Sequence, residues 1–136
     1  MRPIYNGSSM AKSEFALSYT AEASSIRQAR SALRAFADTQ GATREKQDDI
    51  ALSCSEALTN VVEHAYTEPG GEIHVCASRD GEQMLVVIAD DGCGPGFPKR
   101  VGLRLGMPVM SAYSDQLTLS RRPGGGFEVR LLFALC

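Results

Sequence analysis

No apolar run in the 136 residues approaches the roughly 20 needed to cross a bilayer as a helix. An excess of positive charge is also missing. The 14 Lys+Arg against 16 Asp+Glu leave a formal net charge of -2, whereas a general nucleic-acid binder carries a basic stripe. Residues 1–10 are mixed and polar and lack the hydrophobic core of a signal peptide, so the reading is a cytoplasmic protein. Paired cysteines are absent too. The 4 cysteines, Cys54, Cys76, Cys93 and Cys136, are widely spaced and form no C-x-x-C. That spacing excludes the usual disulfide framework of a small secreted chain and the usual paired zinc ligands. They read as small buried or incidental thiols. His74 and Cys76 fall on the same side of a strand, but two ligands do not make a site.

What is present is enough to build a core. Hydrophobic residues make up 43% and charged residues 22% of the chain, the balance of a soluble globular protein. The length fits one compact domain, expected over residues 13–136. Residues 1–12, with Pro3, Gly7 and Ser8-Ser9, read as a flexible leader.

The periodicities give the element order. Phe15, Leu17 and Tyr19 alternate with Glu14, Ala16 and Ser18, the pattern of a strand over 14–20. Ile26, Ala29, Leu33, Phe36 and Ala37 recur at helical spacing over 22–39, with Gly41 as the stop. A second helix is expected over 44–65, its apolar stripe made of Ile50, Ala57, Leu58, Val61 and Ala65. Thr43 is its candidate cap, with Lys46 in place of the Glu that would complete a capping box. Pro69-Gly70-Gly71 ends that region.

Strands over 72–78 and 83–89 are joined by Arg79-Asp80-Gly81-Glu82, a strong hairpin signal. The run Leu85-Val86-Val87-Ile88-Ala89 marks the second of these as central and buried. After the Gly-rich stretch 90–98 comes a short helix over 105–114. A last hairpin then has strands over 116–121 and 127–133 around Pro123-Gly124-Gly125-Gly126. The hairpins imply antiparallel pairs with the helices packed on one face, an α+β two-layer sandwich.

Three groups of residues carry candidate chemistry. Glu56, Asn60 and His64 are spaced by four, so one stripe of the second helix presents a carboxylate, an amide and an imidazole. Such a stripe can be a solvated face with i, i+4 hydrogen bonds. It can also be a site. An Asn oxygen suits Mg²⁺, which takes few protein ligands, and a Glu one turn away can orient or deprotonate a nucleophile. Asp90-Asp91-Gly92-Cys93-Gly94 follows the most apolar strand. Its acid can accept from an exocyclic amine such as adenine's, and its glycines admit a flat ring or a phosphate, although Asp-Gly is also ordinary turn chemistry. Gly102-Leu103-Arg104-Leu105-Gly106 opens a helix, where free N–H groups favour an anion. Gly124-Gly125-Gly126 reads as a turn.

The order of these groups resembles the GHKL (Bergerat-fold) ATPases. Glu56-Ala57-Leu58-Thr59-Asn60-Val61-Val62-Glu63-His64-Ala65-Tyr66 looks like their N box, and Ile88-Ala89-Asp90-Asp91-Gly92-Cys93-Gly94 like the G1 box. Leu105-Gly106-Met107-Pro108-Val109-Met110 resembles the G2 box, and Gly126 stands where the last glycine box falls. Within that superfamily the chain is similar, over nearly all residues after about 12, to the anti-sigma-factor serine kinases of bacterial stress and sporulation switches.

The resemblance implies the Bergerat fold, with a mixed, mainly antiparallel sheet. It also implies ATP and Mg²⁺ as cofactors, with Glu56 as general base, Asn60 as the Mg²⁺ ligand and Asp90 as the adenine-reading carboxylate. Gly92, Gly94 and Gly106 would line the nucleotide, and His64 would face the phosphates. Arg104 replaces the first glycine of the G2 box, where a guanidinium can pair with a phosphate or fill its space. Phe127 stands in place of the usual Thr, and the segment between Gly94 and Gly106 is short for an ATP lid.

The implied activity is phosphorylation of an anti-sigma-factor antagonist (STAS-type) on Ser or Thr, with sequestration of a sigma factor by a homodimer. The alternative is a non-catalytic module of the same fold, with nucleotide structural or absent. A histidine-kinase catalytic domain is a third reading, opposed by the lack of a phospho-accepting helix.

Overall fold

The computed structural model describes residues 14–92 and 106–135. The expected leader, Cys93, Gly94, Arg104 and Cys136 lie outside the described residues. The elements run β1 (Glu14–Thr20), α1 (Ala23–Thr39), α2 (Arg44–His64), β2 (Glu72–Asp80), β3 (Gln83–Asp90), α3 (Gly106–Tyr113), β4 (Gln116–Arg121) and β5 (Phe127–Ala134).

Local chemistry sets the boundaries. Gly41, at φ 86°, ends α1. Its N–H donates to the Asp38 carbonyl and that of Ala42 to the Ala37 carbonyl, both at 3.0 Å, so two end carbonyls that the helix leaves open are satisfied. Thr43 caps α2 by accepting from the Lys46 N–H at 3.1 Å, the single bond expected of half a capping box. The first hairpin is tighter than the expected turn over 79–82. Asp80 pairs with Gln83, which leaves Gly81-Glu82 as the loop, and Gly81 takes φ 63°, a left-handed conformation that side chains resist.

The strands form a five-stranded sheet in the order β1-β2-β3-β5-β4. Every described pairing is antiparallel. Alternation along the strands divides its faces. Ile73, Val75, Ala77, Met84, Val86, Ile88, Val129, Leu131 and Phe133 are buried against the helices with Leu33, Ile50, Leu58 and Val61. The other face of β3 is covered only in part: Ala89, opposite His74, is buried, while Leu85 and Val87, opposite Ser78 and Cys76, stay half-buried.

The third helix packs on α2 through Ser53, which is fully buried and donates from Oγ to the Met110 carbonyl at 3.1 Å. Ser53→Ala removes this one bond and is expected to lower stability by about 1 kcal/mol, read as a fall of about 4 °C in Tm.

Candidate functional site

The polar stripe of α2 falls on the side of the helix that meets α3. Ser53 stands seven residues before Asn60, close to two full turns, so the bond from Ser53 to Met110 gives the direction in which Asn60 and its neighbours look. Glu56, Asn60 and His64 are all half-buried on that stripe. His64 Nε2 lies 3.8 Å from the Glu63 carboxylate. An amide and a carboxylate one turn apart supply hard oxygen donors, a set that fits Mg²⁺ with most of its shell left to water and phosphate.

The D-x-G segment is pressed against the end of this helix. A Cβ on Gly92 would stand 2.0 Å from the Ala65 carbonyl oxygen, one residue past His64, so only glycine fits. Asp90 closes β3 with 0% of its surface exposed. Its Oδ1 accepts from the Gly92 N–H at 3.0 Å. Burying a carboxylate costs several kcal/mol unless hydrogen bonds offset the lost water, and this backbone bond also fixes the direction of the carboxyl group. Gly126, at φ 101°, approaches from the other side, where a Cβ would meet the Asp90 carbonyl oxygen at 2.0 Å. Residues 65–66, 90–92 and 122–126 therefore converge on one short piece of backbone.

Asp91 is held from outside. Its N–H donates to the Tyr66 hydroxyl at 2.9 Å, and that hydroxyl donates to the Glu72 carbonyl at 2.6 Å. Its carboxylate takes His74 Nε2 at 2.6 Å on one oxygen and Arg122 Nη1 at 2.7 Å on the other. The same Nη1 reaches the Asp90 carbonyl at 3.1 Å. A carboxylate can only accept, so His74 carries a proton on Nε2. In the neutral ring, Ser18 Oγ, 3.2 Å from Nδ1, then acts as donor. The His74 hydrogen bond, first, and the Arg122 guanidinium hold the Asp91 carboxyl below its ordinary pKa. Burial, helped by the Asp90 and Asp91 charges, pushes the Tyr66 phenol up.

Of the residues singled out by sequence, Glu56, Asn60 and His64 share the α2 stripe, and Asp90 with Gly92 lies at its C-terminal end. Gly106 begins α3, which packs on α2, while Gly94 and Arg104 fall outside the described residues. Phe127 is buried and pairs directly with Asp90. Tyr66 and Arg122 did not stand out, and His74 was weighed only as a strand neighbour of Cys76 too poor in partners to make a metal site. Tyr66 reads as the tail of the helix motif and Arg122 as the residue before a glycine turn. Cys54 lies in the core and Cys76 on the open sheet face.

Residues 19–133 match the model of the histidine kinase-like ATPase domain family. The chain is similar to the anti-sigma F factor of Clostridium acetobutylicum, 26% identical over 132 residues that cover 88% of this chain and 92% of the relative. It is 31% identical to that of Thermoanaerobacter pseudethanolicus over 76% of this chain and 80% of the relative. A serine-protein kinase RsbW of Bacillus mycoides is 33% identical over 61 residues, 45% of this chain and 38% of the relative. In fold, it superposes on a crystal structure of RsbU and RsbW domains from Mycobacterium tuberculosis with a TM-score of 0.72. The identity there is 23%, over 90% of this chain and 32% of that longer one. With its N-box stripe, its buried Asp90 and its glycine contacts in that order, the chain belongs to the histidine kinase-like ATPase domain family, in the branch of the anti-sigma-factor serine kinases.

Proposed function

We propose that the chain binds ATP with Mg²⁺, phosphorylates an anti-sigma-factor antagonist on Ser or Thr, and sequesters a sigma factor. The observation that carries this reading is the buried, backbone-oriented Asp90 at the end of the helix that bears Glu56 and Asn60. Asp90 accepts the exocyclic amine of adenine. Gly92 brings backbone close to the base, and Asn60 holds the cation with its amide oxygen. Bound Mg²⁺ supplies charge neutralisation across the phosphates. Glu56 orients the substrate hydroxyl and takes its proton, and the remaining catalysis is positioning for in-line transfer. His64 faces the phosphates. Gly94 and Gly106 line the nucleotide, and Arg104 adds a phosphate contact near the α3 start. The protein works as a homodimer in the cytoplasm, and none of the described helices is long and apolar enough to cross a membrane.

Calorimetric titration with ATP, with and without Mg²⁺, tests the reading directly. Asp90→Asn presents the wrong hydrogen-bond group to adenine. It is expected to weaken ATP binding about tenfold, or about 1.4 kcal/mol, with little change in the melting curve. Equal ATP affinity in the two proteins would remove the assignment.

A second reading, a sequestering module of the same fold without turnover, draws on Phe127. Phe127 is buried and stands opposite Asp90 in the strand register, at the position where the resemblance implies a Thr hydroxyl. Tight ATP binding with no phosphate transfer to any cognate antagonist would favour it.

A further inference from the structure

We infer that Tyr66, His74 and Arg122, acting through Asp91, are positioning residues that set the preference for adenine over guanine. The inference rests on the reading of Asp90 as the base-reading carboxylate. Asp91 has a side chain that is 58% exposed, and an aspartate so placed ordinarily turns freely in water. Here it is fixed at three points by three different parts of the fold. Tyr66, just past α2, holds its N–H, His74 of β2 one carboxylate oxygen, and Arg122 at the β4–β5 turn the other.

The ladder does not need this clamp. Asp90 is already paired with Ile73 on one side and Phe127 on the other. What the clamp determines is the course of the chain immediately beyond the ladder. Arg122 Nη1 joins the Asp91 carboxylate to the Asp90 carbonyl, and the Gly92 N–H one residue later directs Asp90 Oδ1. A shift at Asp91 therefore moves the group that orients the base-reading carboxylate. Adenine offers an amine at the position where guanine offers a carbonyl oxygen. A carboxylate held in one direction welcomes the first and repels the second. One that can swing away discriminates less, and part of the adenine preference is lost even where the base still binds.

The hydrogen bonds continue outward. His74 Nδ1 meets Ser18 Oγ on β1, so the chain of contacts runs from the edge strand across β2 to the nucleotide loop.

Both Arg122 contacts come from a single nitrogen, not from the two-pronged fork that Lys cannot copy. This gives a rescue test. In calorimetric titrations of the full chain with Mg²⁺ and either ATP or GTP, Arg122→Leu is expected to lower the ATP-to-GTP affinity ratio about tenfold. Arg122→Lys should keep it within about threefold of wild type. Asp91→Ala, which trims an exposed side chain and leaves the fold intact, should lower the ratio in the same direction. A purely structural role would lower the Tm and both affinities together and leave the ratio unmoved. If wild type prefers ATP, Asp90→Asn abolishes that preference, and both Arg122→Leu and Asp91→Ala retain the wild-type ratio, the positioning role is overturned while the base-reading assignment stands. If wild type shows no preference for ATP, or Asp90→Asn leaves it unchanged, the assignment of Asp90 fails and this inference fails with it.

Discussion

Glu56→Gln is expected to lower phosphotransfer to the antagonist by about 10²-fold or more while ATP affinity stays within about a factor of two. The substitution keeps the size and shape of the side chain and its place on the half-buried stripe of α2. Glu and Gln have nearly equal helix propensities, so the helix and the melting temperature are left as they were. The one property removed is the ability to take a proton. If Glu56 only fills space beside α3, an amide does that equally well and the rate is unchanged. If it accepts the hydroxyl proton as the new bond forms, the amide cannot substitute. Single-turnover phosphate incorporation, read beside a calorimetric ATP titration, separates the two cases. A wild-type rate in Glu56→Gln would make this carboxylate structural.

The largest effect on stability is expected at Gly126. A Cβ there would lie 2.0 Å from the Asp90 carbonyl oxygen, 2.9 Å from its carbon and 3.0 Å from the Asp91 Cα. All three are backbone atoms, at a strand end paired on both sides, so none can yield as the tip of a flexible side chain does. The backbone at φ 101° adds strain of its own for any L side chain. Gly126→Ala should cost about 3 kcal/mol or more in urea denaturation, and it should weaken ATP binding because the Asp90 loop is displaced. Gly124 provides the control. It has φ 85° but nothing within 4 Å of where a Cβ would stand, so Gly124→Ala carries the strain alone, about 1 kcal/mol. Equal losses at the two positions would show that the turn does not press on Asp90.

Much of this was legible in the residues. The apolar run of 85–89 placed β3 at the centre of the sheet, because a central strand needs apolar side chains on its covered face. The spacing of Ala29, Leu33, Phe36 and Ala37 gave the buried side of α1, and Gly41 its end. These are local signals, carried by neighbours in sequence. The hairpin after β2 is the boundary that moved most, by two residues where the others moved by one at most. Pairing extends to Asp80 and Gln83 because the loop needs only Gly81 in a left-handed conformation.

The clamp around Asp91 was not legible. Arg122 is 31 positions from Asp91 and Tyr66 is 25 positions away, so no periodicity links them. Only the antiparallel registers of β2, β3 and β5 bring these side chains to one corner. The glycine turn had the same character. Its three left-handed residues were readable as a turn, but the approach of Gly126 to Asp90 exists only once β5 has paired with β3.

That pairing has a consequence for how members of this fold vary. Asp90 opposite Phe127 is the neck of a long excursion that leaves β3, passes through α3 and β4, and returns as β5. Because the ladder closes this neck, a change in how many residues separate β3 from β5 acts on the stability of the sheet chiefly through loop entropy. Doubling a flexible loop costs about 0.6 kcal/mol, less than a single lost core methylene. Insertions between β3 and β5 that leave the two registers in place thus disturb neither strand pair.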